Sequence, residues 1–165
     1  LQRFIFRPCL CLLALWCSPA WAQAFETRLA PSPASEGTRG SVAGEGRARA
    51  TLDGNRLTVG GEFHGLVTPG TTAALYDGIR IGAMGPKLAD ITVTPGQAGT
   101  ISGDVTLSAK QAAELRAGHI YVRIDSEKAP DGNLTGWLMP PHPFAGEDVP
   151  VPGHGFLPQY DVPSR

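Results

Sequence analysis

From residue 47 to residue 139 the hydrophobicity repeats every second position, and that period decides what kind of fold is open to the chain. Ala48, Ala50 and Leu52 alternate with Arg47, Arg49 and Thr51, and Leu57, Val59 and Phe63 alternate with Arg56, Thr58, Glu62 and His64. Successive side chains of a strand point to opposite faces, so each run has one apolar and one wet side. Asp53-Gly54-Asn55 joins the two runs. Gly and Asn tolerate positive φ, so this is a tight-turn signal and the pair reads as a hairpin. Further short strands are predicted at Thr71–Tyr76, at Leu88–Thr94 with Ile91 and Val93 inward, and at Ile101–Leu107. His119–Ser126 follows, with Ile120, Val122 and Ile124 on one face, and Asn133–Met139 closes the set with Leu134 and Leu138 inward. Pro69-Gly70, Pro95-Gly96 and Asp131-Gly132-Asn133 punctuate them as turns.

One segment breaks the period. Ser108-Ala109-Lys110-Gln111 has the S-x-x-Q form in which the serine caps the third residue of a helix and the glutamine reaches back. Ala112, Ala113 and Leu115 follow, and Gly118 suits the left-handed position past a helix end. The expectation is one helix over Ala109–Ala117, crossing an end of the fold and plugging it with Leu115. Seven short strands and one small helix before the penultimate strand predict an all-β fold, a Greek-key β-sandwich or a Greek-key barrel.

The flanks differ in composition. Arg3 and Arg7 precede an apolar run from Cys9 to Trp16, and Ser18-Pro19 and Ala20-Trp21-Ala22 follow. This is the layout of a cleavable signal peptide over residues 1–22, too short to span a bilayer. All three cysteines, Cys9, Cys11 and Cys17, fall inside it, so the chain from Gln23 has no disulfide, thiolate ligand or cysteine nucleophile. Without Arg3 and Arg7, 12 basic residues face 15 acidic ones, a net charge of −3 that suggests neither nucleic acid nor an anionic membrane as a partner. Residues 23–46 are rich in Ala, Pro, Ser and Gly and read as a flexible lead-in. Residues 140–165 carry seven prolines and read as a tail, packed along the domain or docked on a partner.

In this order, GEGRARATLDGNRLTVGGEFHGL, TTAALYDG, GTISGDVTLSAKQAAELRAGHIYVRIDS and PDGNLTGWL, the chain resembles the CHRD domain, named from chordin and found in many exported bacterial proteins. The resemblance covers residues 44–139. It implies an immunoglobulin-like sandwich in a single-domain exported protein of bacterial type and names no ligand. Family members commonly carry a His-x-His pair in the third strand and another histidine near the end of the penultimate one. Here those positions hold Ala74, Tyr76 and Asp125, and Arg123 stands where the family usually has Asn.

Catalytic and metal chemistry find little purchase. No G-x-S-x-G elbow is present, the carboxylates are scattered over wet faces, and the glycine cluster Gly82–Pro86 precedes a strand, so it is no phosphate loop. His64, His119, His142 and His154 are isolated, so no metal site, cofactor or catalytic residue is expected. What remains is a polar and aromatic surface. Alternation places Tyr76 opposite inward Leu75, places Tyr121, Arg123 and Asp125 with His119 opposite the Ile120 face, and places Trp137 opposite Leu134 and Leu138. Tyr, Trp and Arg anchor interfaces, so Tyr76, Tyr121, Arg123, Asp125 and Trp137 are the expected interaction patch if their strands are neighbours, the competing reading being that Tyr121 and Trp137 face inward and Arg123–Asp125 is a surface ion pair. The expectation is an exported, non-enzymatic binding or structural module in the periplasm or outside the cell. Its partner would be an envelope protein, a glycan or an extracellular polymer. The alternative is a copper- or zinc-binding or redox-related sandwich. Asn133-Leu134-Thr135 matches a glycosylation sequon and is read as chance.

Overall fold

The computed structural model describes residues 22–33, 37 and 39–141. The signal-peptide reading, apart from Ala22, and the tail beyond Pro141 lie outside the described residues. Eight strands and one helix run in the order β1 (Gln23–Pro31), β2 (Glu45–Asp53), β3 (Arg56–His64), β4 (Gly70–Asp77), β5 (Lys87–Val93), β6 (Gly99–Thr106), α1 (Ala109–Arg116), β7 (Ile120–Ser126) and β8 (Ala129–Trp137).

Every neighbouring pair is antiparallel, and the strands close in the order β1-β2-β3-β6-β5-β4-β7-β8. Of the two expected forms the sandwich gives way to a closed barrel. The all-β class, the short helix and the Greek-key order stand, with β7 returning beside β4 after the β4–β5–β6 run. The difference lies at two narrow places. β1 pairs with β8 through Ala30–Thr135 and Pro31–Leu134, and β5 pairs with β6 through Thr92–Ser102 and Val93–Ile101. The first seam is extended by the Glu26–Met139 bridge and by Ser32 N donating to Asn133 O at 2.8 Å, and the second by Thr94 N donating to Thr100 O at 2.9 Å; without these two seams the same strands would be two stacked sheets.

The predicted alternation holds. Leu52, Leu57, Val59, Phe63, Leu75, Ile101, Val122, Ile124 and Leu134 are all buried in one interior cluster. Arg47, Arg49, Arg56 and Glu62 face out and are exposed. A packed apolar inside and a charged outside is the reverse of a lipid-facing barrel. The helix seals one end: Leu115 and Ala112 belong to the interior cluster. Ser108 Oγ accepts from Gln111 N at 3.2 Å, and Ser108 N donates to Gln111 Oε1 at 2.8 Å, the expected capping box. Gly118 follows at φ 75°.

Two sequence expectations are corrected. Residues 23–46 are not a flexible lead-in throughout: Gln23–Pro31 is a strand of the barrel, paired from Gln23–Leu52 to Leu29–Gly46 along β2, with Phe25 and Leu29 buried. Its inward positions alternate as in the other strands, and the Ala/Pro/Ser/Gly bias begins only after it. Ser32 and Ala43 are also anchored, since Ser32 N donates to Asn133 O at 2.8 Å and Ala43 N donates to Asn133 Oδ1 at 3.2 Å. Asn133 is fully buried, so its sequon presents no accessible amide. The second correction concerns Asp131-Gly132-Asn133, which lies inside β8 and is not a turn. The β7–β8 turn is Glu127-Lys128, between the Ser126–Ala129 pair. Register then jumps to Ile124–Leu134, so Pro130–Asn133 bulge out of the ladder. A bulge is where a strand tolerates a proline that cannot donate.

Candidate functional site

The outer face of β4, β7 and β8 carries the five residues singled out in the sequence, because these strands are neighbours in register. Tyr76 pairs with Tyr121 and Tyr121 with Trp137, making one cross-strand row. Ala74 pairs with Arg123 and Arg123 with Thr135 in the next, and Thr72 pairs with Asp125 in the third. Ala74 and Thr135 are small, so the middle row leaves room for the arginine to lie across the sheet. Tyr76 and Tyr121 stack with ring centroids 5.1 Å apart and an interplanar angle of 12°. Trp137 tilts against Tyr121 at 4.6 Å and 46°. The Arg123 guanidinium sits 4.5 Å from the Tyr76 ring centroid, a cation–π contact.

Arg123 is also held by a carboxylate. Its Nη2 donates to Asp125 Oδ2 at 3.2 Å, and Nε lies 2.8 Å from Oδ1 at an angle outside hydrogen-bond alignment. Thr72 Oγ1 donates to Asp125 Oδ2 at 2.9 Å. The Arg123 and Asp125 side chains are 23% and 11% exposed. Burial pushes the Tyr76 phenol above its ordinary 10.0, with Arg123 opposing that and Asp125 and Tyr121 adding to it.

The patch is brought together but is not open. Tyr121 is 1% exposed and Tyr76 9%, and with Ala74 and Trp137 they form a second apolar cluster on the outside of the barrel. The β4–β5 connection, residues 78–86, covers Tyr121 and Trp137, and Arg123 lies over Tyr76. Gly78 lies so close to Trp137 that a Cβ there would meet two ring atoms at 2.6 and 2.7 Å. Gly85 N donates to Tyr121 Oη at 3.4 Å. Asp77 N donates to Pro86 O at 3.0 Å and Gly78 N to His119 O at 2.9 Å, which closes the base of the loop. A partner arriving at this face meets Trp137 and Arg123, both half-buried, before it meets either tyrosine.

The histidines stay apart. His64 Nε2 lies 3.4 Å from Glu45 at the far end of the barrel, whereas His119 Nδ1 lies 2.7 Å from Glu114 of α1 and leaves the Tyr121–Arg123–Asp125 row. Among the described residues no three His, Cys, Asp or Glu side chains are grouped to hold a metal ion. His142 and His154 lie outside the described residues.

Sequence reasoning missed the residues on top of the covering loop. Ile79 is 78% exposed, Ile81 51% and Met84 47%. The signal was present in Gly78-Ile79-Arg80-Ile81-Gly82-Ala83-Met84-Gly85-Pro86, an apolar stretch without strand alternation between two strands that have it. It also missed a shallow groove of about 560 Å³ over Arg47, Arg49, Thr58, Gly60, Glu62 and Thr100, where Gly60 leaves a gap on the outer face of β2, β3 and β6.

The fold and this surface define a class: a small closed antiparallel barrel with a packed apolar interior and an aromatic and charged outer face on β4, β7 and β8. The sequence model of the CHRD domain matches residues 25–138. The chain belongs to the CHRD domain family, and the match takes in β1, in agreement with the barrel. No curated protein matches the chain, and no solved structure does. No helix among the described residues is long and apolar enough to cross a membrane.

Proposed function

We propose that the protein is an exported, non-enzymatic binding or structural module, working in the periplasm or outside the cell. The observation that carries this reading is the Arg123–Asp125 pair, set beside a Tyr76–Tyr121–Trp137 stack on the outside of a sheet. A stack and ion pair of this kind hold an arginine in one orientation on the outside of a barrel filled with apolar side chains, an arrangement suited to recognition by contact. Membership of the CHRD domain family and the leader-like residues 1–22 support the same reading. The partner class is an envelope protein, a glycan or an extracellular polymer, and the accessible contacts are Trp137, Arg123 and the rim of Tyr76.

The test is retention of envelope components by the immobilised chain, with Arg123→Ala and Trp137→Ala compared against the parent. The expected result is a drop in the retained component of tenfold or more in each variant, with the thermal transition still cooperative. Equal retention would remove this face from the binding surface.

A further inference from the structure

The aromatic stack leaves the outer face of β1, β2 and β3 unused, and one cross-strand row on that face leads from the chain's exit to a gap. Met139 is bridged to Glu26, Glu26 is paired with Arg49, Arg49 with Gly60 and Gly60 with Ser102. Glu26 N donates to Met139 O at 2.8 Å and Met139 N to Glu26 O at 3.0 Å, so the chain leaves the barrel fixed at the end of this row. Pro140 has no N–H with which to continue the ladder. Met139 and Pro140 wall a groove of about 400 Å³ over Glu26, Arg28, Arg47 and Arg49. Arg47 and Arg49 also line the groove over Gly60, so the two grooves adjoin.

Gly60 is the odd member of the row. Its φ is not positive, so the backbone does not call for glycine. A Cβ there would meet nothing within 4 Å, whereas one on Gly61 beside it would lie 2.5 Å from Arg47 O. Packing among the described residues therefore explains Gly61 and not Gly60. A glycine inside a strand weakens it, because it offers no side chain to pack. Where the space above it is open, such a glycine marks a close approach from outside, and an aromatic ring laid over the bare backbone is the cover that sheets use.

Charge alone does not choose the occupant. Arg47 and Arg49 are exposed and have no ion-pair partner among the described residues, but Arg28 is taken by Glu45, and Glu26 and Glu62 stand on the same face. Distance does choose. Strands lie about 4.8 Å apart, so three spacings put Gly60 about 14 Å from Met139. A proline-rich chain advances about 3.1 Å per residue, so about five residues cover that span. The fifth after Met139 is Phe144. Gly146, which suits a change of direction, and the acidic pair Glu147-Asp148 come next. A segment tethered at the rim of the groove also meets it at an effective concentration of about millimolar, far above that of a free ligand. We propose that residues 142–148 lie back across the outer face of β1, β2 and β3, with the Phe144 ring over Gly60 and with Glu147 and Asp148 beside Arg47 and Arg49. This face shares no residue with the Arg123–Trp137 face, so either reading can fail alone.

The test is nuclear magnetic resonance on the full chain. The expected result is an Overhauser contact between the Phe144 ring protons and the Gly60 α protons. In F144S that contact is lost, and the amide resonances of Arg49, Gly60 and Ser102 shift while those of Val122 and Ile124 stay in place. E147Q/D148N should shift the amides of Arg47 and Arg49, and raised salt should shift them the same way in the parent. G60V fills the gap without altering residues 142–148, so it should abolish the contact while the Val122 and Ile124 resonances remain. Absence of the Phe144–Gly60 contact in the parent, or its survival in G60V, overturns the proposal. Unmoved Arg49, Gly60 and Ser102 amides in F144S overturn it too. So does a contact seen only between labelled and unlabelled molecules of a mixed sample, which would make the occupant a second copy of the chain.

Discussion

Truncating Asp125 to Ala leaves the Arg123 guanidinium largely covered, with the Tyr76 ring on one side and no carboxylate on the other. A desolvated charge without its acceptor costs about 1–3 kcal/mol, so D125A should lower the urea midpoint accordingly. R123A/D125A should lose less than the two single changes together, because the second removal relieves what the first exposes. Tyr76 provides a separate test of the same environment. Its folded phenol titrates above the ordinary 10.0, chiefly through burial. The unfolded chain therefore releases that proton first. The stabilisation from keeping Tyr76 neutral is complete below pH 10 and is lost as the pH rises through the folded value. Difference spectra between the parent and Tyr76→Phe should show a phenolate component with a midpoint above 10, and that variant should soften the alkaline loss of stability.

The elements differ in how far their residues announced them. The helix was legible down to its cap, because Ser108, Gln111 and Gly118 act within a few residues of one another. β2 was legible because its alternation is long and uninterrupted, and β3 and β7 because Leu57, Val59 and Phe63, and Ile120, Val122 and Ile124, still mark one apolar face. β1 was not, since its inward set is only Phe25, Thr27 and Leu29, and Pro31 with the small-residue stretch beyond it gave the segment the composition of a linker. The bulge in β8 was mistaken for a turn because Asp, Gly and Asn serve both, and only the partner strand decides between them. The loop over the stack depends on a residue without a side chain. Gly78→Ala places a methyl carbon within 2.6 Å of the Trp137 ring, so either the ring or the loop must move. The expected outcome is a loss of about 1–3 kcal/mol and a red-shifted Trp137 emission as water reaches the indole.

At the scale of the molecule, alternation told which side chains go inside but not how the sheet ends meet. The patch was legible as a set of outward registers, while its assembly depended on β4, β7 and β8 being neighbours, which is a non-local fact. The same holds for closure: nothing in Ala30, Thr92 or Leu134 read singly says that these residues join one sheet to the other. The barrel form has a physical merit for a chain without cysteines after Cys17, because closure leaves only short stretches of strand edge to template another chain.

The seams of β1 with β8 and of β5 with β6, each two ladder pairs with the Glu26–Met139 bridge or the Thr94–Thr100 bond beyond them, act as latches on an otherwise broad weave. A latch held by so few bonds opens long before the plates on either side lose their packing, which makes the molecule a clam with two narrow clasps. In native-state amide exchange Thr92, Val93 and Thr135 should lose protection well ahead of Val59 and Val122, and uniform exchange across all five would show that the clasps are as firm as the plates.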